Sequence, residues 1–230
     1  MENLIGVGLY TPAEAGRLLR VSPTKISRWL LGHVVKGVVY RPLWDPSVHF
    51  GDERLYLGFK DLMEARVADV LIREGVSAIK VRSAIKIAKE ELGKDHPLSS
   101  NRFRTDGREI FLSIISTDEE GQKSERLLNL FRKQYEFQSV IDPILKTVDF
   151  TENGDPKLWW PSGRKSKVVV DPARSFGQPI DSVSSVPTAV LAAAGRQEGI
   201  AVAALSYAVE RSSVKRAIEF ESALWQRDAA

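Results

Sequence analysis

Two short amphipathic segments follow each other near the N-terminus. Thr11-Pro12-Ala13-Glu14 is a capping box, in which a threonine hydroxyl and a glutamate three residues later satisfy each other's backbone amides. Proline at the first helical position costs nothing, so a helix is predicted over residues 12–19. Ser22-Pro23 repeats the start signal after a short turn, and Ile26 and Leu30 share one face. The pattern therefore predicts two consecutive helices.

Helices joined so closely must cross, and the residues at their crossing allow it. Gly16 is predicted to lie at the contact and Val21 to fill the turn. This is the helix-turn-helix arrangement, whose second helix presents a free face to DNA. Short polar groups and cations on that face suit phosphates and base edges. The predicted DNA-binding residues are Thr24, Lys25, Ser27 and Arg28. The alternative is a helical hairpin inside another domain, with a basic face that is only solvated.

The segment after Leu30 is rich in valine, tyrosine and proline and predicts a β-hairpin wing. Its extended segments are predicted at 38–43 and 54–57, where Arg41 and Arg54 can touch backbone phosphate. A helix is predicted from Gly58-Phe59 to just before Gly75, and another over 79–92. The apolar stripe of the first of these consists of Phe59, Leu62, Met63, Val67, Val70 and Leu71.

The middle of the chain alternates turn signals with short apolar runs. Arg104–Arg108 contains Asp-Gly and predicts a two-residue hairpin, followed by a polar linker over 116–124. An amphipathic helix is then predicted to continue to Val140. Residues 147–170 predict a small antiparallel sheet that holds Leu158, Trp159 and Trp160.

The C-terminal part predicts three helices. The first begins at Pro187 or Thr188 and ends at Gly195, the second covers 200–207 and the third 212–225. A shift of 188 residues relates this part to the first motif, and it places Gly16 on Ala204, Val21 on Val209, Ile26 on Val214, Arg28 on Arg216 and Leu30 on Ile218. A second helix-turn-helix shape is therefore predicted, with Ser212, Ser213, Lys215 and Arg216 outward. We expect protein contact there ahead of DNA contact.

Composition excludes several classes of site. The 230 residues are 43% hydrophobic and 27% charged, which is typical of globular proteins. There is no cysteine and only three scattered histidines, so a metal site is not expected. No phosphate loop or catalytic triad is recognisable, and we expect neither a cofactor nor enzymatic activity. An acidic start and the lack of an apolar run of roughly 18 residues predict a cytoplasmic protein without a membrane partner.

Positive charge is concentrated in the first motif. The net charge is +3, with +4 in residues 1–110 and −1 in residues 111–230. Within 10–41 only Glu14 opposes the basic residues, which are Arg17, Arg20, Lys25, Arg28, Lys36 and Arg41. This distribution favours nucleic-acid contact at the N-terminal end.

Two resemblances to known families follow from these motifs. The order helix, helix, wing, helix, helix, with Phe59–Leu62 and Arg73–Ser77, resembles the MerR-like winged helix-turn-helix group. Val168–Pro172, Phe176-Gly177-Gln178-Pro179 and Val186–Thr188, with the terminal helices, resemble a domain of unknown function found in antitoxins of PIN-like toxins. Together they make the chain similar to VapB-type antitoxins.

The VapB resemblance implies two functions. The protein would bind operator DNA as an autorepressor and would neutralise a PIN-like ribonuclease toxin. Such antitoxins commonly place a basic or bulky side chain at the toxin's acidic site, for which Arg174 and Arg196 are candidates. A homodimer would place two recognition helices in successive major grooves, about 34 Å apart.

The predicted fold class is mainly α with small β-hairpins (α+β). Residues 1–115 are predicted to form a MerR-like winged helix-turn-helix domain, 116–166 a connecting helix and small sheet, and 167–230 a trihelical domain for toxin binding or dimerisation. The alternative function is a stand-alone MerR-like transcriptional regulator with a ligand-sensing C-terminal domain, in which Trp159 and Trp160 would line a pocket.

Overall fold

The computed structural model describes residues 6–103, 107–110 and 134–225. This part of the chain is mainly helical and contains two small antiparallel sheets, which confirms the predicted α+β class.

The N-terminal part contains the predicted pair of helices, a hairpin and two longer helices. Its elements are α1 (Pro12–Leu19), α2 (Pro23–Leu31), β1 (His33–Val35), β2 (Val38–Tyr40), α3 (Phe59–Arg73) and α4 (Ala78–Leu92). The predicted wing has the wrong boundaries. β2 pairs with β1 across a turn at Lys36-Gly37, whereas residues 54–57 reach only one isolated bridge, from Leu57 to Tyr10. Lys36 and Gly37 both have positive φ angles, which is the geometry of the favoured two-residue hairpin turn. This turn, and not the longer polar loop before residue 54, connects the two strands.

The second half begins with α5 (Gln134–Leu145), which runs past the predicted end at Val140. It leads into a sheet with the order β3-β4-β5-β6 and all neighbours antiparallel. The strands are β3 (Val148–Phe150), β4 (Pro156–Trp159), β5 (Val168–Val170) and β6 (Pro179–Asp181). Two strands precede residue 167 and two follow it, so the predicted division between 166 and 167 falls within one sheet.

The chain ends in α6 (Thr188–Gln197), α7 (Ile200–Ser206) and α8 (Arg211–Trp225), which share a core around Leu191, Ala203 and Val214. The prediction that Gly195 ends the first of these helices is wrong, since Gly195 lies inside α6. A Cβ at that position would lie 2.5 Å from Cγ1 of Val214. Glycine is therefore used for a close contact between α6 and α8.

Parts of the middle predictions fall outside the described residues. These are the linker at 116–124, the preceding part of the helix predicted to reach Val140, and residues 104–106 of the Asp-Gly hairpin. Residues 107–110 are helical, however, so the two-residue hairpin predicted at Arg104–Arg108 is wrong.

A single apolar core connects the N-terminal helices to the sheet. Ile26 of α2, Leu62 of α3, Trp159 of β4 and Val170 of β5 all belong to it. Trp159 therefore packs in the core. The guanidinium of Arg66 on α3 lies over the Trp159 ring, 4.9 Å from its centre, and donates hydrogen bonds of 2.9 Å to the Ile144 carbonyl and the Thr147 hydroxyl. Burial lowers the pKa of Arg66 to about 10.

Two buried acidic side chains attach α3 to its neighbours. Asp61 accepts hydrogen bonds from Trp44 Nε1 at 3.0 Å and from the amides of Ser47 and Gly58 at 2.9 Å. Glu64, one turn later, accepts from the amides of Leu98 and Ser99 at 3.2 and 2.8 Å. Burial raises the pKa of Glu64 to about 8. These bonds hold the segments before α3 and after α4 against the helix that supports α2.

Candidate nucleic-acid interface

The N-terminal helix pair has the local features that its sequence predicts. The amide of Glu14 donates to Oγ1 of Thr11 at 3.3 Å, and the amide of Thr11 donates to Oε2 of Glu14 at 2.8 Å, which completes the capping box. The inward residues Ile26 and Leu30 are buried. The α2 helix is therefore held at its start by α1 and along one side by the core.

The turn between α1 and α2 depends on a close backbone approach. The amide of Val21 donates to the carbonyl of Gly16 at 3.0 Å, and a Cβ on Gly16 would lie 2.5 Å from the carbonyl oxygen of Val21. Arg20 has a φ of 59°, in the left-handed region that glycine occupies at lower cost. The predicted roles of Gly16 at the contact and of Val21 in the turn are confirmed.

The four residues of α2 predicted to bind DNA differ in their exposure to solvent. Thr24 and Arg28 are exposed, and Ser27 is half-buried. Lys25 is half-exposed but forms an intramolecular ion pair. Its ammonium lies 3.0 Å from Oδ1 of buried Asp69 and 5.0 Å from the centre of the Trp29 ring. Of the two cations in this set, Lys25 is in an ion pair, whereas Arg28 forms none with the described residues.

The cations predicted in the wing lie in two different places. Arg41 follows β2 directly and is exposed, and its carbonyl accepts from Nη1 of Arg82 on α4 at 3.4 Å. Arg54 is exposed in the loop before α3, outside the hairpin, with its amide bonded to Asp52 at 3.3 Å. The placement of Arg54 in the wing is therefore wrong, because β2 pairs with β1 and not with residues 54–57.

The C-terminal helix pair α7–α8 repeats the backbone of the first. The amide of Val209 donates to the carbonyl of Ala204 at 2.9 Å, and Ala208 has a φ of 51°. Val214 is fully buried, as is its counterpart Ile26. The predicted internal echo is therefore confirmed in shape.

The prediction that four residues of α8 point outward is wrong for two of them. Ser212 and Lys215 are exposed, whereas Ser213 is buried. Arg216 forms an ion pair through Nε with buried Asp181 and donates from Nη2 to Ser213 at 2.7 Å. β6 brings Asp181 against α8, which the sequence pattern of α8 alone does not reveal.

The Asp181 carboxylate is a fixed anchor for α8. Its second oxygen accepts from the amide and hydroxyl of Ser184 at 2.9 and 2.8 Å. Burial acts to raise the pKa of Asp181, but the hydrogen bonds from Arg216 and Ser184 outweigh it and hold the pKa below its ordinary value. The carboxylate therefore stays charged and keeps Arg216 away from solvent.

The two arginines predicted as toxin-blocking candidates lie on different elements. Arg174 precedes β6, with Nε 2.6 Å from Asp171 and Nη1 2.7 Å from the Ser185 hydroxyl. Arg196 is exposed near the end of α6, and its Nη2 donates to Ser222 at 2.9 Å. Arg174 is thus tied into the turn after β5, and Arg196 is the more accessible of the two.

The Phe-Gly-Gln-Pro segment packs against the residues that precede α1, and the sequence pattern does not predict this contact. We call it the joint. The Tyr10 hydroxyl donates to the carbonyl of Gly177 at 2.8 Å, and the amide of Leu9 donates to the carbonyl of Phe176 at 2.9 Å. A Cβ on Gly177 would lie 2.2 Å from the Tyr10 oxygen, so glycine is required there. Burial raises the pKa of Tyr10. An ion pair between Arg17 of α1 and buried Glu221 of α8 adds to this joint.

Metal sites and membrane-spanning helices are both absent from the residues that the structure describes. Their histidines, aspartates and glutamates form no group of three that could hold a metal ion. None of their helices combines the length and the apolar character that a membrane crossing requires.

Comparisons with known proteins concern the whole fold. No protein-family model matches the chain. The chain is 28% identical over 199 residues to the curated protein named "Putative antitoxin VapB45" from Mycobacterium tuberculosis, and the match covers 82% of this chain and 83% of that protein. It is also similar to the X-ray crystal structure of Rv2018 from Mycobacterium tuberculosis, with 25% identity, a TM-score of 0.72, and coverage of 94% of this chain and 100% of that one.

Proposed function

We propose that the protein is the antitoxin of a type II toxin–antitoxin system, which binds operator DNA through α2 and neutralises a PIN-like ribonuclease through its C-terminal helices. The observation that carries this proposal is the similarity, over 82% of the chain, to a protein named as an antitoxin. The proposed role requires two binding surfaces and no catalytic site.

The DNA-binding half of the proposal rests on α2 and the cations beside it. Thr24 and Arg28 are exposed on α2, Lys36 lies at the tip of the wing and Arg41 at its base. Arginine near base edges and phosphates is the commonest specific contact to DNA. In a homodimer, two copies of α2 would occupy successive major grooves of a palindromic operator.

The toxin-binding half rests on α7, which carries apolar side chains on its outer as well as its inner side. Ala203 and Ala204 face the core, whereas Val202 and Leu205 are 51% and 85% exposed. Val190 of α6 and Tyr207 after α7 are partly exposed too. A helix with apolar residues all round is typical of one that is covered in its functional assembly. We assign this face, Val202 and Leu205 with Val190 and Tyr207, to the toxin.

Co-expression with the protein encoded by the adjacent open reading frame tests the proposal, which expects that protein to be a PIN-like ribonuclease. The full chain is expected to co-purify with that protein and to inhibit its cleavage of RNA. The V202K/L205K variant is expected to lose both, because two ammonium groups cannot be buried in an apolar contact without a partner.

The matched control for this experiment is V34K/V39K, which changes an equally exposed apolar pair on the wing. It should keep toxin binding. Failure of the wild-type chain to bind the neighbouring protein or to inhibit its ribonuclease would reject the antitoxin function.

A ligand-sensing regulator is the second candidate, and one observation favours it. A cleft of about 460 Å³ lies between α4 and the segment before α3, lined by Trp44, Arg82, Lys86 and His96 among others. Clefts of this size hold small ligands. Specific binding of a small anion that changes operator affinity, without any toxin partner, would favour this candidate over the antitoxin.

A further inference from the structure

The β1–β2 hairpin exposes more apolar surface than a DNA-contacting wing needs. Val34 and Val39 are 65% and 69% exposed, and Leu31 just before the hairpin is 63% exposed. Val35, Val38 and Tyr40 are exposed as well. Side chains of this kind, next to one another on a projecting ribbon, indicate a surface that is covered by another molecule.

The main chain of the hairpin is also open to pairing. The register pairs Val35 with Val38 beside the turn, then Val34 with Val39, then His33 with Tyr40. In a two-residue hairpin the pair beside the turn is hydrogen-bonded and the pairs alternate, so the N–H and C=O groups of Val34 and Val39 point outward. Within the described residues, no other strand pairs with either edge of this sheet.

The charge of the ribbon argues against DNA as the molecule that covers it. Lys36 at the tip is the one lysine or arginine between His33 and Tyr40, and valine side chains offer nothing to phosphate. Phosphate contact therefore falls to Lys36 and to Arg41 at the base, and the flat sides of the ribbon stay unused by DNA.

A second copy of this chain fits the ribbon better. A twofold interface requires a surface that is complementary to itself, and valine pairs stand on both sides of Lys36-Gly37. When two such ribbons pair antiparallel along an edge, their tips lie at opposite ends. The two Lys36 ammonium groups then do not face each other, so the pairing brings valine to valine without charge repulsion.

We propose that the β1–β2 hairpin is the homodimer contact, in which the β2 edges of two copies pair antiparallel and bring Val39 of one ribbon beside Val39 of the other. This deepens the homodimer of the proposed function, on which it rests. Its test uses neither DNA nor toxin, so its failure is distinguishable from failure of operator or toxin binding.

The molar mass of the full chain in solution tests the proposal, by light scattering and sedimentation over a wide range of concentrations. We expect twice the chain mass of 25.6 kDa. The V34K/V39K variant should raise the dimer dissociation constant by about 100-fold, because the lysines of the two copies would lie side by side on one face of the joined sheet and repel each other. Val39→Pro, which removes one outward N–H, should raise it by about 10-fold.

The matched control is V202K/L205K on α7, which should remain dimeric, and circular dichroism should show all variants folded. A monomeric wild-type chain, or a V34K/V39K variant that stays dimeric, would overturn the proposal. If that variant stays dimeric but loses the toxin or the operator, the wing contacts that partner instead of a second copy.

Discussion

In both α1–α2 and α7–α8 the residue before the turn valine is left-handed, with a φ of 59° at Arg20 and 51° at Ala208. In both, the valine amide donates to the carbonyl five residues earlier. The solvent-facing sides of α2 and α8, however, differ in which residues are free. Arg28 on α2 is exposed, whereas its counterpart Arg216 on α8 is bound to Asp181, and Ser213 is buried where Lys25 is half-exposed.

The difference teaches that a shared backbone does not carry a shared outer surface. The helix-turn-helix shape follows from a small residue, a turn valine and a buried aliphatic residue, which both units possess. Availability for DNA depends on what packs against the outer side. At α8 that side is taken by β6 and its carboxylate, which leaves α7 as the open surface of the C-terminal unit.

The largest expected effect comes from removing the arginine that holds α8. Arg216→Ala leaves Asp181 buried without its cation, and breaking a buried pair in this way costs about 3 kcal/mol of stability. Urea unfolding of the wild type, Arg216→Ala and Arg28→Ala measures it. Arg28→Ala should unfold at the wild-type midpoint, since Arg28 is exposed. Equal losses in both variants would contradict the distinction between the two units.

The reverse contrast is expected for DNA. Arg28→Ala should weaken operator binding by about 2 kcal/mol and reduce its salt dependence. Lys215→Ala is the matched control, because Lys215 is an exposed cation on α8. Fluorescence anisotropy with the DNA upstream of the gene, at several salt concentrations, measures both affinities. A larger loss for Lys215→Ala would mean that the C-terminal unit reads the DNA.

A smaller effect is expected at Lys25, which the sequence assigns to DNA and the fold connects to Asp69. Lys25→Ala should reduce stability by about 1 kcal/mol, because the Lys25 side chain is 38% exposed and solvent screens part of the ion pair. A double-mutant cycle with Asp69→Ala measures the coupling between the two. Strict additivity of the two stability losses would show that the pair contributes nothing.

The smallest effect concerns the turns and should be equal in the two units. Arg20→Gly and Ala208→Gly each relieve a left-handed residue, and each should stabilise the protein by about 0.5 kcal/mol after the entropy of glycine is counted. Thermal unfolding of both variants measures this. A gain in one and a loss in the other would show that the turns are not equivalent.

Most of the helices could be predicted because their signals are local. A capping box, a proline at the first helical position and apolar residues at three- and four-residue spacing all act within one or two turns of the chain. The predicted wing has the wrong partner strand because the prediction rests on the longer polar loop, whereas the two-residue turn at Lys36-Gly37, with both φ angles positive, is the connection that forms. The sequence predicts that Gly195 ends a helix, but glycine is needed there for the close contact with Val214, which lies nineteen residues later.

The amino-acid pattern alone thus established two similar helix pairs, a concentration of positive charge in the first and an α+β architecture. The tertiary structure decided which side chains of those helices are free. The hydrogen bonds that decide it join residues far apart in the chain: Lys25 and Asp69 are separated by 44 positions, Arg216 and Asp181 by 35, and Tyr10 and Gly177 by 167. Helical periodicity is a property of neighbouring residues, whereas the partner of a charged side chain is set by the fold.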